Sequence, residues 1–286
     1  MGRWRRRLLH CGAVVGSLTF AAACGSTTAN KEPTIVASTS VIGSIVRSIV
    51  GDAAVVTVVM PNGKDPHEFQ PSARDVERLE HGAVVVMNGN GLEAGFVDAL
   101  QSVDSDKVFS LADHVTLRGD DPHLWLDPLT VREAIPDLAV ALGAALNRDF
   151  SVNANAFARK LETLNSTVAA KIDSLASCDL VTDHDALAYF AARYGCTIVG
   201  SVVPGLSTAG EATAQDVQNL KEAISRTGVK SIFVEPNSSG AVAKSLADSL
   251  GVDVIELSVE RTPDVGGYEA LLGNLADTVV EGLGGK

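Results

Sequence analysis

From Pro33 onward the sequence alternates short apolar runs with amphipathic segments, and this alternation restricts the possible fold more than any other feature. The apolar runs are TIVAST, VVTVVM, AVVVMNG and KVFSL in the first half, and DLVTD, CTIVGSVV, SIFVEP and VDVIELSVE in the second. Strands that alternate with helices predict a parallel sheet covered by helices. Because 286 residues exceed the usual size of one hydrophobic core, we predict an α/β fold with two lobes.

The alternation stops between Pro128 and Ala176, where two helical segments follow each other. The first, LTVREAIPDLAVALGAALNR, contains Pro136 as an expected kink. The second, NANAFARKLETLNSTVAAKIDSLA, would be about 36 Å long at 1.5 Å per residue. We therefore predict an N-terminal α/β lobe at 33–148, one long connecting α-helix at 149–177, and a C-terminal α/β lobe at 178–286.

The N-terminus has the pattern of an export signal. A basic start, an apolar stretch and small residues before Cys24 predict a signal peptide at residues 1–23. The small residues resemble a bacterial lipobox, although Ala21 stands where that pattern more often has leucine. We expect lipid on Cys24, with simple cleavage nearby as the alternative, and a lipidated tether at residues 24–32. Either outcome places the mature protein outside the cytoplasmic membrane, and lipidation would anchor it to the outer face.

The charge balance argues against a nucleic-acid partner. The formal net charge is −12, and it includes four arginines within the first seven residues. Without residues 1–23 the chain keeps 19 basic residues against 35 acidic ones. A surface this acidic repels phosphate backbones, while it suits solubility and attracts cations.

Two cysteines remain after the signal and Cys24 are set aside. Cys178 and Cys196 each begin an apolar run, with a helix-like segment between them. In a βαβ unit the starts of neighbouring parallel strands lie about 4.8 Å apart, within reach of a disulfide. An exported protein meets an oxidising environment, which favours a disulfide over two buried free thiols.

Two related motifs each carry one histidine behind an Asp-Pro pair. DPHEFQP contains His67 and DPHLWLDP contains His123, and the prolines stiffen both loops. A third histidine, His184 in TDHDALAYF, follows an apolar run and opens an apparent helix. Loops after the carboxyl ends of parallel strands form the binding crevice of such sheets. Three histidines on such loops predict a metal site.

Each histidine also has an ordinary structural interpretation. One histidine in a polar loop is usually a solvated surface group. His184, flanked by Asp183 and Asp185, could belong to a polar cluster that caps a helix. The repeated Asp-Pro-His context favours the metal interpretation. The aspartates of the two motifs, Asp65, Asp121 and Asp127, could then orient the rings or hold the loops.

The blocks GKDPHEFQPSARD, HGAVVVMNGNGLE, DPHLWLDP, HDALAYF and YEALLGNL together resemble the solute-binding receptors of zinc and manganese ABC importers, the ZnuA- and TroA-like metal-binding lipoproteins. The resemblance covers nearly the whole chain after the signal. It implies that His67, His123 and His184 bind a divalent metal and that an ABC transporter permease is the partner. Manganese-preferring members commonly have glutamate in the third place, so His184 favours Zn²⁺, with Mn²⁺ second; imidazole also suits zinc better.

The fourth ligand departs from the family pattern. The family usually offers an aspartate just after the last strand, and VDVIELSVERTPD has none at that place. Glu256, Ser258 and Glu260 alternate and would share one face of a strand, with Glu260 nearest its carboxyl end. We take Glu260 as the first choice and Glu256, Asp264 or water as alternatives. Glu235 is interpreted as structural or as support for the ligands.

These observations predict a monomeric, non-enzymatic receptor that captures zinc between two lobes. Neutral imidazole ligands predict an affinity that falls below about pH 6.5. A zinc hydrolase is the first alternative, because three histidines and a carboxylate also describe catalytic zinc. However, the sequence contains no HExxH motif. A surface adhesion lipoprotein is the second alternative, since related receptors have that role.

Overall fold

Two parallel sheets lie in the part of the chain that the computed structural model describes, namely Met1, residues 33–236, Ser238 and residues 240–285. The predictions for the signal peptide, Cys24 and the tether fall outside the described residues. The first sheet has the order β2-β1-β3-β4 and the second has the order β6-β5-β7-β8. The strands are β1 (Thr34–Ala37), β2 (Val55–Val58), β3 (Val84–Met87), β4 (Val108–Ser110), β5 (Asp179–Thr182), β6 (Thr197–Ser201), β7 (Ser231–Val234) and β8 (Asp253–Glu256).

Helices cover both sheets, and their ends follow recognisable capping rules. They are α1 (Ser40–Val50), α2 (Ala73–His81), α3 (Val97–Leu100), α4 (Pro128–Leu146), α5 (Ser151–Ile172), α6 (Ala188–Tyr194), α7 (Ala214–Thr227), α8 (Ala241–Leu250) and α9 (Gly267–Gly282). Ser72 and Thr213 form capping boxes at α2 and α7. The predicted fold class, two lobes of parallel sheet flanked by helices, is confirmed.

The connecting region consists of α4 and α5, which pack against each other. Pro136 lies inside α4, and the helix continues through it. α5 has 22 residues and is therefore about 33 Å long. It also packs against α1 of the first lobe and α9 of the second. The long helix expected between the lobes is thus present and is slightly shorter than its sequence pattern suggested.

The largest hydrophobic cluster extends through both lobes. It contains apolar residues of α1, α4, α5 and α9 and of strands in both sheets. The indole of Trp125 donates to the carbonyl of Val259 at 2.7 Å, and the hydroxyl of Tyr268 donates to the carbonyl of Trp125 at 2.6 Å. Both rings are almost fully buried. The two lobes are therefore packed together rather than loosely tethered.

Within the residues described, no helix combines the length and apolar character needed to cross a lipid bilayer.

Cys178 and Cys196 are joined, with sulfur atoms 2.06 Å apart. They directly precede the neighbouring strands β5 and β6, and the amide of Thr197 donates to the carbonyl of Cys178 at 2.7 Å. The bridge therefore lies at the amino ends of these strands.

We expect replacement of both cysteines by serine to lower the free energy of unfolding by about 3 kcal/mol, because a bridge across 18 residues restricts the unfolded chain. Metal affinity should not change, since binding loops follow the opposite ends of these strands. Urea unfolding and a zinc titration of the double variant would measure both. Mass spectrometry that finds both thiols alkylated without reduction would show the bridge to be absent from the protein.

Candidate metal centre

Three histidines from three loops meet at the edge where the strands end. His67 lies in the loop after β2, His123 in the loop after β4, and His184 in the loop after β5. The Nε2 atom of His123 lies 3.3 Å from Nε2 of His67 and 3.3 Å from Nε2 of His184. One ring nitrogen from each of the three lies within 4.8 Å of the others. Two nitrogens bound to one tetrahedral zinc at about 2.05 Å are about 3.3 Å apart, so this spacing suits one zinc ion.

The hydrogen bonds of two rings determine which nitrogens carry lone pairs. Nδ1 of His123 lies 2.7 Å from Oδ1 of Asp121, and Nδ1 of His184 lies 3.1 Å from Oδ1 of Asp183. A carboxylate only accepts, so each Nδ1 carries the proton and each Nε2 of a neutral ring offers a lone pair. Lone pairs that face each other at 3.3 Å repel unless a cation lies between them. The hydrogen bonding thus prepares both rings as metal ligands.

The pKa values of the three histidines differ because their surroundings differ. Burial, followed by the charge of His123, lowers the pKa of His67 to about 4. Burial also lowers the pKa of His123, against the opposing hydrogen bond with Asp121. For His184 burial acts in the same direction, but the hydrogen bond to Asp183 and the charge of Glu235 outweigh it and raise the pKa. At neutral pH His67 and His123 are therefore neutral and ready to bind a cation.

Glu260 is a buried carboxylate beside this cluster. It is 7 % exposed, and neither carboxylate oxygen has a hydrogen-bond partner. Ligand atoms of Glu260, His67 and Asp65 lie within 4.8 Å of one another. Burial, then repulsion from Glu235, raises the pKa of Glu260 well above its usual range. An unpartnered buried carboxylate is costly, and a cation at the histidines would compensate it.

The prediction that Glu256, Ser258 and Glu260 share a strand face is wrong. β8 ends at Glu256, and the residues after it form a loop. Among the described residues, the hydrogen bonding continues past the strand through one pair, in which the amide of Leu257 donates to the carbonyl of Val234. Glu260 reaches the cluster because this loop turns inward, and not because the strand is extended.

The other carboxylates considered for the fourth position lie elsewhere. Glu256 and Asp264 are exposed and line a surface depression of about 590 Å³ together with Arg261. Among the described residues, neither belongs to a group of side chains close enough to share a metal ion with a histidine. Of the protein side chains considered, Glu260 therefore has the best position.

Comparison with known proteins shows the family of this chain. The family described as "Zinc-uptake complex component A periplasmic" matches residues 35–282. The chain belongs to this family. Members of this family are components of a zinc-uptake complex and not enzymes. The prediction of a non-enzymatic chain is therefore confirmed, and the zinc-hydrolase alternative is wrong.

Two relatives of this zinc-uptake family illustrate the range of chain lengths. The "Zinc-binding protein TroA" of Treponema pallidum is 27% identical over 307 residues, which cover 98% of this chain and 99% of TroA. The "Zinc-binding protein AdcA" of Streptococcus pyogenes serotype M3 is 27% identical over 245 residues, which cover 74% of this chain and 47% of AdcA. The aligned region thus spans about half the length of AdcA.

Solved structures show the same architecture. The periplasmic zinc-binding protein TroA from Treponema pallidum superposes with a TM-score of 0.81 at 26% identity, covering 88% of this chain and 99% of TroA. The laminin-binding protein Lmb of Streptococcus agalactiae superposes with a TM-score of 0.75 at 25% identity, covering 86% and 99%. Its published description is that of a bifunctional protein with adhesin and metal-transporting activity.

The acidic residues around the centre of this family member have separate tasks. Glu235 lies 3.5 Å from Nδ1 of His184, and burial raises the pKa of Glu235 to about 8 against the opposing charge of that ring. Asp183 accepts the amide of Glu235 as well as that of His184. Glu235 is therefore a buried neighbour of the His184 ring, and its Oε1 makes no hydrogen bond with the described residues; its interpretation as structural or as support for the ligands stays a prediction. The role of Asp183 as the partner of Nδ1 was indicated only by its position next to His184.

Asp127 holds the structure together instead of orienting a ring. Its carboxylate caps α4 by accepting the amides of Leu129 and Thr130. It also accepts from Nε and Nη2 of Arg193 at 2.8 and 2.7 Å. Since Arg193 belongs to α6, this ion pair links the first lobe to the second. Of the three motif aspartates, Asp121 thus orients a ring. Asp127 fixes the loop before α4 and connects the two lobes.

Asp65 connects the loop of His67 to the second lobe. Its Oδ1 accepts the backbone amide of His67 at 2.8 Å, and its Oδ2 accepts from the hydroxyl of Thr208. Thr208 lies in the long loop between β6 and α7. The third motif aspartate therefore also holds a loop.

Proposed function

We propose that this chain is the extracytoplasmic receptor of a metal importer, that it captures a divalent transition metal between its two lobes, and that Zn²⁺ is the preferred cargo. His67, His123, His184 and Glu260 are the proposed ligands. The observation that carries the proposal is the 3.3 Å spacing of Nε2 atoms beside a buried carboxylate without a partner. Membership of a zinc-uptake family and the names of its zinc-binding relatives support it.

Ligand chemistry favours zinc over manganese. Three imidazoles and one carboxylate form a nitrogen-rich, four-ligand set, which zinc accepts in tetrahedral geometry. Manganese prefers more oxygen ligands and a larger coordination number. We therefore expect Mn²⁺ to bind, but more weakly than Zn²⁺.

Metal analysis of the purified protein, followed by a competition titration with a zinc chelator, tests the proposal. We expect one zinc per chain and a weaker constant for Mn²⁺ under the same conditions. A protein that retains neither metal, and that leaves the chelator fully loaded, would contradict the proposed cargo.

Delivery to an ABC transporter permease follows from the proposed receptor role. The family description as a component of an uptake complex supports such a partner. We further propose that the chain is a monomer that lipid on Cys24 holds at the outer face of the cytoplasmic membrane. Relatives named zinc-binding lipoproteins support the anchor. Labelling with a fatty-acid analogue, compared between the wild type and Cys24→Ser, tests it.

Adhesion is the second candidate function, and it rests on the likeness to Lmb. We expect any binding to immobilised laminin to be weaker than metal binding and to persist in His123→Ala. Surface plasmon resonance with metal-free and zinc-loaded protein would measure it. The absence of a response at micromolar concentrations would remove this candidate.

We expect zinc affinity to rise with pH through the range above 6.5. A proton competes with zinc only where the pH lies below the pKa of the metal-free ligand. The lowered pKa values of His67 and His123 prevent such competition near neutral pH, whereas His184 and Glu260 have raised pKa values and must lose protons on binding. The decline in affinity therefore begins at a higher pH than free imidazole would suggest.

Calorimetric zinc titrations at pH 7 in buffers of different ionisation enthalpy would count the protons released. A positive proton release that shrinks as the pH is raised to 9 is the expected result. Zinc binding that releases no proton at any pH in this range would contradict the assignment of Glu260 and His184 as ligands with raised pKa values.

A further inference from the structure

The turn that follows β3 contacts the loop that carries His123. It comprises Asn88, Gly89, Asn90 and Gly91, and the last three have left-handed backbones with φ of 83°, 51° and 80°. A side chain at Gly89 would collide with Ser110, because an added Cβ would lie 2.1 Å from its hydroxyl. The glycines of the sequence NGNG are thus required by the tight turn. The turn brings two asparagine side chains toward the first lobe's metal-binding loop.

Both asparagine side chains hold backbone carbonyls next to His123. Nδ2 of Asn88 donates to the carbonyl of Pro122 at 2.8 Å, and Nδ2 of Asn90 donates to the carbonyl of Asp121 at 2.8 Å. Asn88 is fully buried. Asp121 in turn accepts from the ring and the amide of His123 at 2.7 and 3.0 Å. A continuous series of hydrogen bonds therefore runs from the turn to the ring of a proposed ligand.

A buried carboxylate fixes the turn from the other side. Glu93 is 4 % exposed, and its Oε1 accepts from the hydroxyl of Ser38 at 2.6 Å and from the amide of Asn88 at 2.8 Å. Its Oε2 accepts from the amide of Gly89 at 3.0 Å. These partners lie in the turn itself and, for Ser38, directly after β1. Three donors thus converge on one buried carboxyl group, and these hydrogen bonds hold the turn in place.

We infer that Asn88, Asn90 and Glu93 are positioning residues that set the orientation of the His123 ring toward the cargo. The inference rests on the proposed function of His123 as a zinc ligand. Its physical basis is that ligand rings bind tightly only when outer hydrogen bonds hold their orientation, and loss of such partners typically weakens metal binding about 10- to 100-fold. None of the three residues would touch the metal.

Asn90→Gly is the most informative variant, because glycine accepts the left-handed φ of 51° and only the side-chain amide is lost. Asn147→Gly is the matched control. Asn147 is the other non-glycine residue with positive φ among those described, at 49°, and it caps the far end of α4. The two variants make the same chemical change at the same backbone conformation.

We expect Asn90→Gly to raise the zinc dissociation constant about tenfold. This is the lower end of the range for loss of a residue that holds a metal ligand without touching the metal. Asn147→Gly should bind zinc like the wild type, and the melting temperatures of the two metal-free variants should fall by similar amounts. Competition titration with a zinc chelator measures the constants. If Asn90→Gly and Asn147→Gly bind zinc within twofold of each other, the turn does not position the ligand and the inference is wrong.

A double variant separates positioning from a general loss of structure. In a His123→Ala background the change Asn90→Gly should alter zinc affinity less than twofold, because no ring remains to be oriented. A tenfold effect that persists without His123 would overturn the inference. The proposed function is tested separately, since it fails if the wild type does not bind zinc or if His123→Ala alone binds zinc normally.

Discussion

Replacement of His123 by alanine is expected to weaken zinc binding by about a thousandfold or more while the fold is retained. His123 is the central ligand, because its Nε2 lies 3.3 Å from Nε2 of both other histidines. Structural zinc in zinc-finger peptides binds with roughly 10 to 16 kcal/mol in total, and on that scale one of four ligands contributes several kcal/mol. Loss of one ligand therefore exceeds the 10- to 100-fold effect that is typical of an outer partner.

The fold should survive because His123 lies in a loop rather than in a strand or helix of the core. Zinc competition titration and thermal unfolding of the metal-free variant measure the two effects. His114→Ala is the control, because His114 stacks on Phe109 and pairs with Asp137 on the surface, away from the cluster. Equal zinc affinity of the two variants would exclude His123 as a ligand.

The positions of the histidine loops could be predicted from sequence for a simple physical reason. In a parallel sheet the chain leaves every strand at the same edge, so residues that follow separate apolar runs meet there. His67, His123 and His184 follow β2, β4 and β5 in this way. The repeated Asp-Pro-His context distinguished two of them from ordinary surface histidines. The alternation of strands and helices was predictable from local periodicity, whereas the order of the strands within each sheet was not predicted.

The surroundings of His184 show where local patterns are insufficient. The sequence suggested that a helix opens at this residue, whereas α6 begins at Ala188. The hydroxyl of Thr182 donates to the carbonyl of His184, and the amide of Asp185 donates to the carbonyl of Gly205. These contacts keep the segment extended as a loop. The second contact spans 20 residues, so no local window contains it.

Contacts between distant segments also determine the fourth ligand position. Trp125 donates to the carbonyl of Val259, the residue before Glu260, across 134 positions of sequence. Asn62 pairs with both backbone groups of Thr262, across 200 positions. These bonds turn the loop after β8 toward the histidines. Alternation of Glu256 and Glu260 along the chain gave no information about that turn.

Glu260→Gln is expected to weaken zinc binding by about 4 kcal/mol, roughly a thousandfold, and to stabilise the metal-free protein. The first effect follows from removing a buried negative charge beside the cation. The second follows because both carboxylate oxygens are buried without a hydrogen-bond partner, so the metal-free protein has to hold a proton on Glu260 above its usual pKa, at a cost in stability that a neutral amide avoids. Weaker zinc binding together with higher stability of the metal-free protein would identify Glu260 as a residue that is present for metal binding and not for the fold.

The pH dependence of metal-free stability provides an independent measurement. A folded-state pKa raised above the unfolded value means that the folded chain holds the proton longer, so stability is lost as the pH rises through that interval. Glu260, Glu235 and His184 all have raised pKa values and contribute to this loss. In Glu260→Gln the stability measured by urea unfolding should fall less between pH 5 and pH 8 than in the wild type.

Glu256→Gln is the matched control for both measurements, because this glutamate is exposed at the end of β8. It should change neither zinc affinity nor the slope of stability with pH. If Glu260→Gln behaves like Glu256→Gln in the zinc titration, a water molecule rather than a carboxylate completes the coordination. If it also unfolds with the pH dependence of the wild type, the carboxylate of Glu260 is solvated in the metal-free protein. The carboxylates left to compensate the cation would then be Asp65, which lies near His67, and Asp183 and Glu235, which lie near His184.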